Sequence, residues 1–170
     1  GAAHIDSPRL DLKQNPLYES DDLAFLKTHY YGGIRKYQWV TIPLELHGVV
    51  VLKSGQVIRV SVGNGEGDPL FTIDDLLPHL GVEQSKKPLG EAIPAENLNL
   101  LVGSRPLAGD EGSDRVKLSV LELLNRKYGI VEEDFISAEL SAVPAFSACD
   151  IGFDRSMICL LYTSDAADEL

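Results

Sequence analysis

The N-terminal tripeptide His4-Ile5-Asp6 has residue types and a spacing that suit a metal site. Residues i and i+2 of a strand lie on the same face, so the Asp6 carboxylate would sit close to the His4 imidazole. A metal-bound histidine needs its other ring nitrogen held, and a neighbouring aspartate can fix the tautomer and raise the basicity of the ligand. The tripeptide therefore suggests a metal ligand at His4 oriented by Asp6. Because so short a pattern also arises by chance, an incidental pair is the alternative.

Other chemically suggestive segments favour structural interpretations. The glycine-rich segment 63–69 carries two acidic residues and ends in a proline, whereas a dinucleotide-binding loop must open a helix. It is predicted to be a surface loop. Glu132-Glu133 lies just past the predicted helix and is interpreted as a solvated turn. His29 and His47 lie on predicted strand faces and are expected to be ordinary half-buried residues.

The elements that must position these residues begin with strands. Period-two alternation over 23–62 predicts strands with one buried and one solvated face. Within it, a strand over 40–52 turns tightly at 53–56, where Gly55 supplies a positive φ, and returns over 57–62. Pro43 removes a ladder donor and so predicts a sheet edge or a bulge.

The second half of the chain predicts one long helix and several shorter elements. Ser113 as N-cap, apolar residues at helical spacing and Gly129 as the C′ residue predict a helix over 114–128. The apolar set is Val116, Val120, Leu123, Leu124 and Tyr128. The other expectations are a short helix over 73–80 with Thr72 as N-cap, an extended connection over 85–97, a strand over 98–102 and a buried strand over 135–146.

Composition excludes several classes of protein. The chain has 170 residues, of which 44% are hydrophobic, and a formal net charge of −11, which disfavours binding to nucleic acid or to an anionic membrane surface. Its apolar stretches are far shorter than the ~20 residues that span a bilayer. Its two cysteines cannot form a disulfide framework. These features predict a cytoplasmic globular protein, and the missing initiator methionine predicts that the native N-terminus is absent.

Several strings in the chain match the motifs of one family in type and separation. They are Ala3-His4-Ile5-Asp6-Ser7-Pro8-Arg9-Leu10, Tyr31-Gly32-Gly33-Ile34 with Trp39, and the segments 76–80, 137–140 and 150–156. On these residues, the chain resembles the aspartyl aminopeptidase and aminopeptidase I family of dinuclear zinc exopeptidases over residues 1 to about 158. The resemblance implies a fragment of an α/β metallo-exopeptidase. That fragment is mainly the β-rich lid domain used in assembly, with short flanking strands of the catalytic α/β core.

The resemblance also implies roles for individual residues. His4 would bind one of two zinc ions, and Asp6 would be the catalytic-site carboxylate that orients it. His79 would reach the active site of a neighbouring subunit and bind substrate there; the alternative is an ordinary surface or capping histidine near the end of a short helix. The implied protein is a homo-oligomer, dodecameric in the family, that removes N-terminal residues from peptides. Its two metals would polarise the scissile carbonyl and generate a hydroxide nucleophile.

The remaining catalytic residues of the family lie downstream of the Asp-Arg-Ser segment at 154–156, so the chain is expected to be an inactive fragment. The implied domains are a catalytic-core strand at 1–10, the lid at 11–134 and a truncated return to the core at 135–158. Residues 159–170 resemble a translated sequencing adapter and are expected to be non-native; the alternative is a natural C-terminal strand with an acidic tail. The competing hypothesis is a self-contained, non-catalytic β-rich module for interaction or oligomerisation.

Overall fold

In the computed structural model, which describes residues 7–109 and 112–159, the chain forms eight strands, three α-helices and three short 3-10 helices. The strands are β1 (Arg9–Ser20), β2 (Leu23–Tyr31), β3 (Leu44–Val51), β4 (Val57–Val62), β5 (Leu100–Gly103), β6 (Ala138–Pro144), β7 (Cys149–Ile151) and β8 (Met157–Cys159). The α-helices are α1 (Val82–Ser85), α2 (Leu89–Ala92) and α3 (Arg115–Tyr128). The 3-10 helices are Lys36–Gln38, Ala95–Asn97 and Glu132–Ser137.

Six of these strands form one antiparallel sheet in the order β4-β3-β6-β1-β2-β5. Strand β6 is the last of the six in the chain, yet it lies between β3 and β1. It pairs with β3 from Leu44 opposite Pro144 to Val50 opposite Ala138. Strands β7 and β8 form a separate hairpin. The main sheet therefore joins residues from distant parts of the chain.

One face of the sheet is apolar because alternate residues of its strands are aliphatic. In β3, Leu44, Leu46 and Val50 are buried, whereas Glu45 and His47 point to the opposite, half-buried face. Helix α3 packs against β1, β2 and β5. Other members of the same core are Leu10, Leu26, Val60, Leu98, Leu100, Val116, Phe135 and Leu140. Within the described residues, no helix has both the length and the apolar composition needed to cross a membrane.

Strand β1 is not among the elements predicted from the sequence. Its register against β2 shifts between Leu12 and Leu17, where Asn15 has a φ of 49°. Pro16 lies at this irregularity, the position where a strand tolerates a residue without an N–H donor. The interruption hides the period-two pattern, so the strand is recognisable only from its pairing.

The predicted hairpin is confirmed, although its first strand starts at Leu44 and not at residue 40. Strands β3 and β4 pair from Leu46 opposite Val62 to Val51 opposite Val57, and Gly55 in the turn has a φ of 86°. The prediction about Pro43 is wrong. Strand β3 starts at the next residue and is internal to the sheet, so Pro43 removes no ladder donor.

The helix predicted over 73–80 is also wrong. Phe71 and Thr72 form isolated antiparallel bridges to Leu44 and Leu101, and this pairing keeps the backbone extended. A turn follows at 78–80. The connection over 85–97, predicted to be extended, instead contains single helical turns, including α2. The strand predicted over 98–102 is present as β5.

The long helix is confirmed as α3, but its N-terminus differs from the prediction. Asp114, not Ser113, occupies the N-cap position, with a φ of 59° and no side-chain capping bond. Glu19 of β1 accepts a hydrogen bond from the backbone N–H of Lys117 at 2.8 Å instead. At the other end, Gly129 is left-handed, as predicted, with a φ of 72°. Leu123, predicted to lie on the apolar face, is 59% exposed.

The strand predicted over 135–146 begins later than expected. Residues Glu132–Ser137 form a 3-10 helix, and only Ala138–Pro144 pair in the sheet. The predicted domain boundaries after residues 10 and 134 stay predictions. The six-stranded sheet runs across both positions, since β1 and β6 are neighbours in it.

Candidate functional site

His4 and Asp6, the predicted metal ligand and its orienting carboxylate, lie outside the described residues. The adjoining residues are described and lie beside the Tyr-Gly-Gly segment. Arg9 is paired with Tyr31, and its guanidinium carbon lies 4.0 Å from the centre of the Tyr31 ring. Pro8 lies next to Gly32, 3.8 Å from where a Cβ at that glycine would stand. The fold therefore brings together two motifs that are far apart in the sequence.

His79 lies on the turn at 78–80 and is exposed. The turn is closed by hydrogen bonds from the N–H groups of Leu80 and Gly81 to the carbonyl of Leu77, both 2.9 Å long. Within the described part of the chain, no side-chain hydrogen bond or ion pair involves the His79 imidazole. Leu76, Leu77 and Leu80 around it are each more than half exposed. The imidazole is thus available to a partner outside this chain, but nothing in the described chain positions it.

His47 belongs to a polar cluster on the solvated face of the sheet. Its Nδ1 lies 3.1 Å from Ser61 Oγ, and its Nε2 lies 2.9 Å from Glu45 Oε1. The Nε2 atom is buried, and its short contact with Glu45 lacks hydrogen-bond geometry, so the pair attracts only when the imidazole is charged. Ser61 Oγ also donates to Asn64 Oδ1 at 3.0 Å.

This cluster has the residue types of a nucleophilic triad, but its hydrogen bonds do not suit one. A catalytic base must accept the serine proton, whereas the Ser61 proton is directed to Asn64. The contact between His47 Nδ1 and Ser61 Oγ joins β3 to β4, and the imidazole acts as a structural link. The sequence could have revealed the cluster, because the predicted hairpin turn sets Ser61 opposite His47.

His29 is exposed, so the prediction that it is half-buried is wrong. Its Nδ1 lies 3.4 Å from the carbonyl oxygen of Tyr30.

The acidic residues at 132–134 have structural roles. Glu132 pairs with Lys117 at 2.6 Å, and Glu133 pairs with Lys53 at 3.4 Å. Asp134 is buried, and its two carboxylate oxygens accept 2.9 Å hydrogen bonds from the backbone N–H groups of Lys53 and Val131. The interpretation of Glu132-Glu133 as a turn, rather than as a catalytic pair, agrees with these contacts.

Two further carboxylates hold turns. Asp68 Oδ2 accepts from the N–H groups of Gly63 at 3.3 Å and Gly65 at 3.1 Å, and these bonds, aided by Lys127, lower the pKa of Asp68. The glycine-rich loop is thus closed on its own carboxylate, as expected for a surface loop. In the β7–β8 hairpin, hydrogen bonds from Ser156 lower the pKa of Asp154.

The described residues do not supply a zinc site. Zinc in proteins usually takes three or four ligands from histidine, cysteine and carboxylate side chains. Over 7–109 and 112–159, no group of three or more such residues is placed to share an ion. No catalytic step through a metal is therefore assigned to these residues.

Comparison with known proteins extends over nearly the whole chain. A sequence profile of the family described as aminopeptidase I zinc metalloprotease (M18) matches residues 1–165. A probable M18 family aminopeptidase 1 from Clostridium acetobutylicum is 58% identical over 156 residues, which are 92% of this chain and 34% of that protein.

Solved structures give the same result. The crystal structure of an M18-family aminopeptidase from Thermotoga maritima matches with a TM-score of 0.86 and 52% identity, covering 92% of this chain and 34% of that one. Aminopeptidase I from Clostridium acetobutylicum matches with a TM-score of 0.83 and 55% identity, over the same shares of the two chains. The chain thus spans about a third of the length of these relatives, and the predicted resemblance and fragment fold are confirmed. The chain belongs to the aminopeptidase I zinc metalloprotease (M18) family.

Proposed function

We propose that the protein from which this chain derives is a zinc-dependent aminopeptidase that removes N-terminal residues from peptides. The observation that carries the proposal is the family match over residues 1–165, which includes His4-Ile5-Asp6. The contact between the Pro8-Arg9 and Tyr31-Gly32 segments supports it, because both motifs of the resemblance meet in the fold. The activity belongs to the whole protein, of which this chain covers about a third.

In this proposal, His4 is a ligand of one of two zinc ions, and Asp6 orients its ring. His79 binds substrate in the active site of a neighbouring subunit of a cytoplasmic homo-oligomer. Two features support the role of His79: its imidazole is exposed, and the leucines beside it form an apolar surface that a partner subunit would cover. The division into a core strand at 1–10, a lid at 11–134 and a core return at 135–158 completes the proposal.

The 170-residue chain itself is expected to be inactive, because the resemblance places the other catalytic residues of the family downstream of 154–156. The purified chain, supplied with zinc, should not hydrolyse an aminoacyl-anilide. The same assay with a chelator separates metal-dependent turnover from contamination. Chelator-sensitive hydrolysis by the chain alone would show that the site is complete without further residues.

The residue roles are tested in the protein expressed from the extended reading frame. Asp6→Ala should lower activity by roughly 10–100-fold, the usual effect of removing a group that orients a ligand. His4→Ala should lower it further and reduce the bound zinc measured by elemental analysis. His29→Ala, an exposed histidine with no proposed role, is the matched control and should keep full activity. Normal zinc content in His4→Ala would refute the ligand assignment.

Residues 159–170 are proposed to be non-native, although the family match continues to residue 165. Sequencing the source DNA past the codon for Met157 tests this directly. A native sequence identical to 159–170 would contradict the proposal.

The alternative function is a non-catalytic interaction module. It is favoured by one observation: the described residues have a core of their own between the sheet and α3. If the extended protein binds no zinc and cleaves no peptide, yet forms oligomers in light scattering, the module interpretation replaces the enzyme.

A further inference from the structure

A cavity of about 390 Å³ opens between the 3-10 helix Lys36–Gln38 and helix α2. It lies on the surface beside the end of β2. The residues used in the following argument are Tyr30, Arg35, Lys36, Tyr37, Leu89 and Gly90, all of which line the cavity. Its volume falls within the range of about 300–1,000 Å³ that is typical of small-molecule sites.

The wall that carries the cations is fixed by the fold. Hydrogen bonds from Gln38 N–H to the Arg35 carbonyl at 2.9 Å and from Trp39 N–H to the Lys36 carbonyl at 3.1 Å close the 3-10 helix. Trp39 follows directly and is 1% exposed, so it anchors this segment in the core. A ligand would therefore meet a backbone that is already ordered, which lowers the entropic cost of binding.

The opposite wall is open because of a glycine. A Cβ built at Gly90 would meet no atom within 4 Å, and the backbone there is not left-handed. Glycine is therefore not required by the conformation at this position, and the missing side chain leaves room in the cavity. Leu89 beside it is 57% exposed.

The charge of the cavity is opposite to that of the chain. The chain has a net charge of −11, and some cations elsewhere, such as Lys53 and Lys117, pair with acidic side chains. Within the described part of the chain, no carboxylate lies within ion-pair distance of Arg35 or Lys36, which are adjacent in sequence. Two uncompensated cations that line one concavity can attract an anion and bind its oxygens directly.

We propose that this cavity binds a phosphate monoester attached to a small apolar or aromatic body. Two cations match a phosphate monoester, which carries about −1.5 to −2 charges at pH 7, better than a carboxylate, which carries one. The guanidinium of Arg35 has the planar donor geometry that suits phosphate oxygens. Tyr30 and Tyr37, 42% and 37% exposed, and the exposed Leu89 offer apolar surface to the rest of the ligand.

The test is a titration of the 170-residue chain with phenyl phosphate, followed by amide chemical shifts and by calorimetry. Benzoate keeps the ring with one charge, and inorganic phosphate keeps the charge without the ring. Phenyl phosphate should bind best and should shift the amides of Arg35, Lys36 and Gly90. Benzoate and inorganic phosphate should each bind about tenfold more weakly, because each lacks one set of contacts. Equal affinity for all three, or shifts located elsewhere, would overturn the proposal.

Variants separate the site from general attraction by charge. Arg35→Gln and Lys36→Gln should each weaken phenyl phosphate about tenfold, the effect of losing one charge-assisted hydrogen bond. Gly90→Leu should weaken it by filling the cavity without changing any charge. Arg59→Gln is the matched control, since Arg59 is exposed on β4, away from the cavity. Far-ultraviolet circular dichroism checks that every variant is folded. If Arg59→Gln and Arg35→Gln weaken the binding of phenyl phosphate equally, the effect comes from net charge alone, and a defined site is refuted.

Discussion

Replacing Gly48 with alanine is expected to lower the free energy of unfolding by about 4 kcal/mol. Gly48 lies in the middle of β3, with β4 on one side and β6 on the other. Its φ is 145°, and a Cβ there would stand 1.9 Å from the carbonyl oxygen of Glu139 and 3.0 Å from the Cα of Leu140. Both obstacles are backbone atoms of the neighbouring strand, so no side-chain rotation can relieve the overlap.

The magnitude follows from the geometry. Ordinary contacts begin near 3.4 Å, so β6 would have to move about 1.5 Å away from β3 at this point. Strands in a sheet are about 4.7–4.9 Å apart, and a shift of this size breaks the adjacent ladder hydrogen bonds. Two or three lost hydrogen bonds cost roughly 1 kcal/mol each, and an alanine in this backbone conformation costs roughly 1–3 kcal/mol. Together they lower the free energy of unfolding by about 4 kcal/mol. Single domains have a free energy of unfolding of about 5–15 kcal/mol.

The assay is urea unfolding followed by the fluorescence of Trp39, the only tryptophan of the chain, which is 1% exposed in the fold. Gly55→Ala is the first control. Gly55 has a φ of 86°, but a Cβ there would meet no atom within 4 Å. This variant should therefore lose only about 1 kcal/mol of unfolding free energy. Gly90→Ala has neither constraint and should change stability by less than about 1 kcal/mol. If Gly48→Ala unfolds at the same urea concentration as Gly55→Ala, the argument from strand contact is wrong.

Two further outcomes are expected from buried and loop carboxylates. Asp134→Ala should lower the free energy of unfolding by about 2 kcal/mol in the same urea assay, because two backbone N–H groups lose their acceptor. Glu133→Ala, which breaks only an exposed ion pair, should cost less than about 1 kcal/mol, and equal losses would contradict the assignment. The pKa of Asp68 is lowered in the fold, so its stabilising bonds are fully present above the ordinary aspartate pKa and are lost as the pH falls through the lowered value. Amide shifts of Gly63 and Gly65 should follow this titration, and Asp68→Asn should abolish it; an unchanged titration in that variant would assign it to another group.

Predictions based on neighbouring residues succeeded where local interactions fix the backbone. The β3–β4 hairpin and α3 were predictable because a turn glycine, helical apolar spacing and a C′ glycine act within a few residues. The helix predicted over 73–80 failed because Thr72 pairs with Leu101, a contact that no local pattern encodes. Strand β1 was not predicted because Asn15 and Pro16 interrupt its apolar alternation. Its pairing with β2 and β6 nevertheless keeps it in the sheet.

The sequence by itself determined the family, through the types and spacing of motif residues from His4 to Trp39. Only the tertiary structure decided that β6 lies between β3 and β1 and that Glu19 caps α3. It also set Arg35 and Lys36 across from Gly90 around one cavity. The physical reason is that a motif is recognised from the types of its residues and their separation along the chain. Contacts between residues distant in sequence decide the rest, namely the strand order, the capping of a helix by another element and the shape of a cavity.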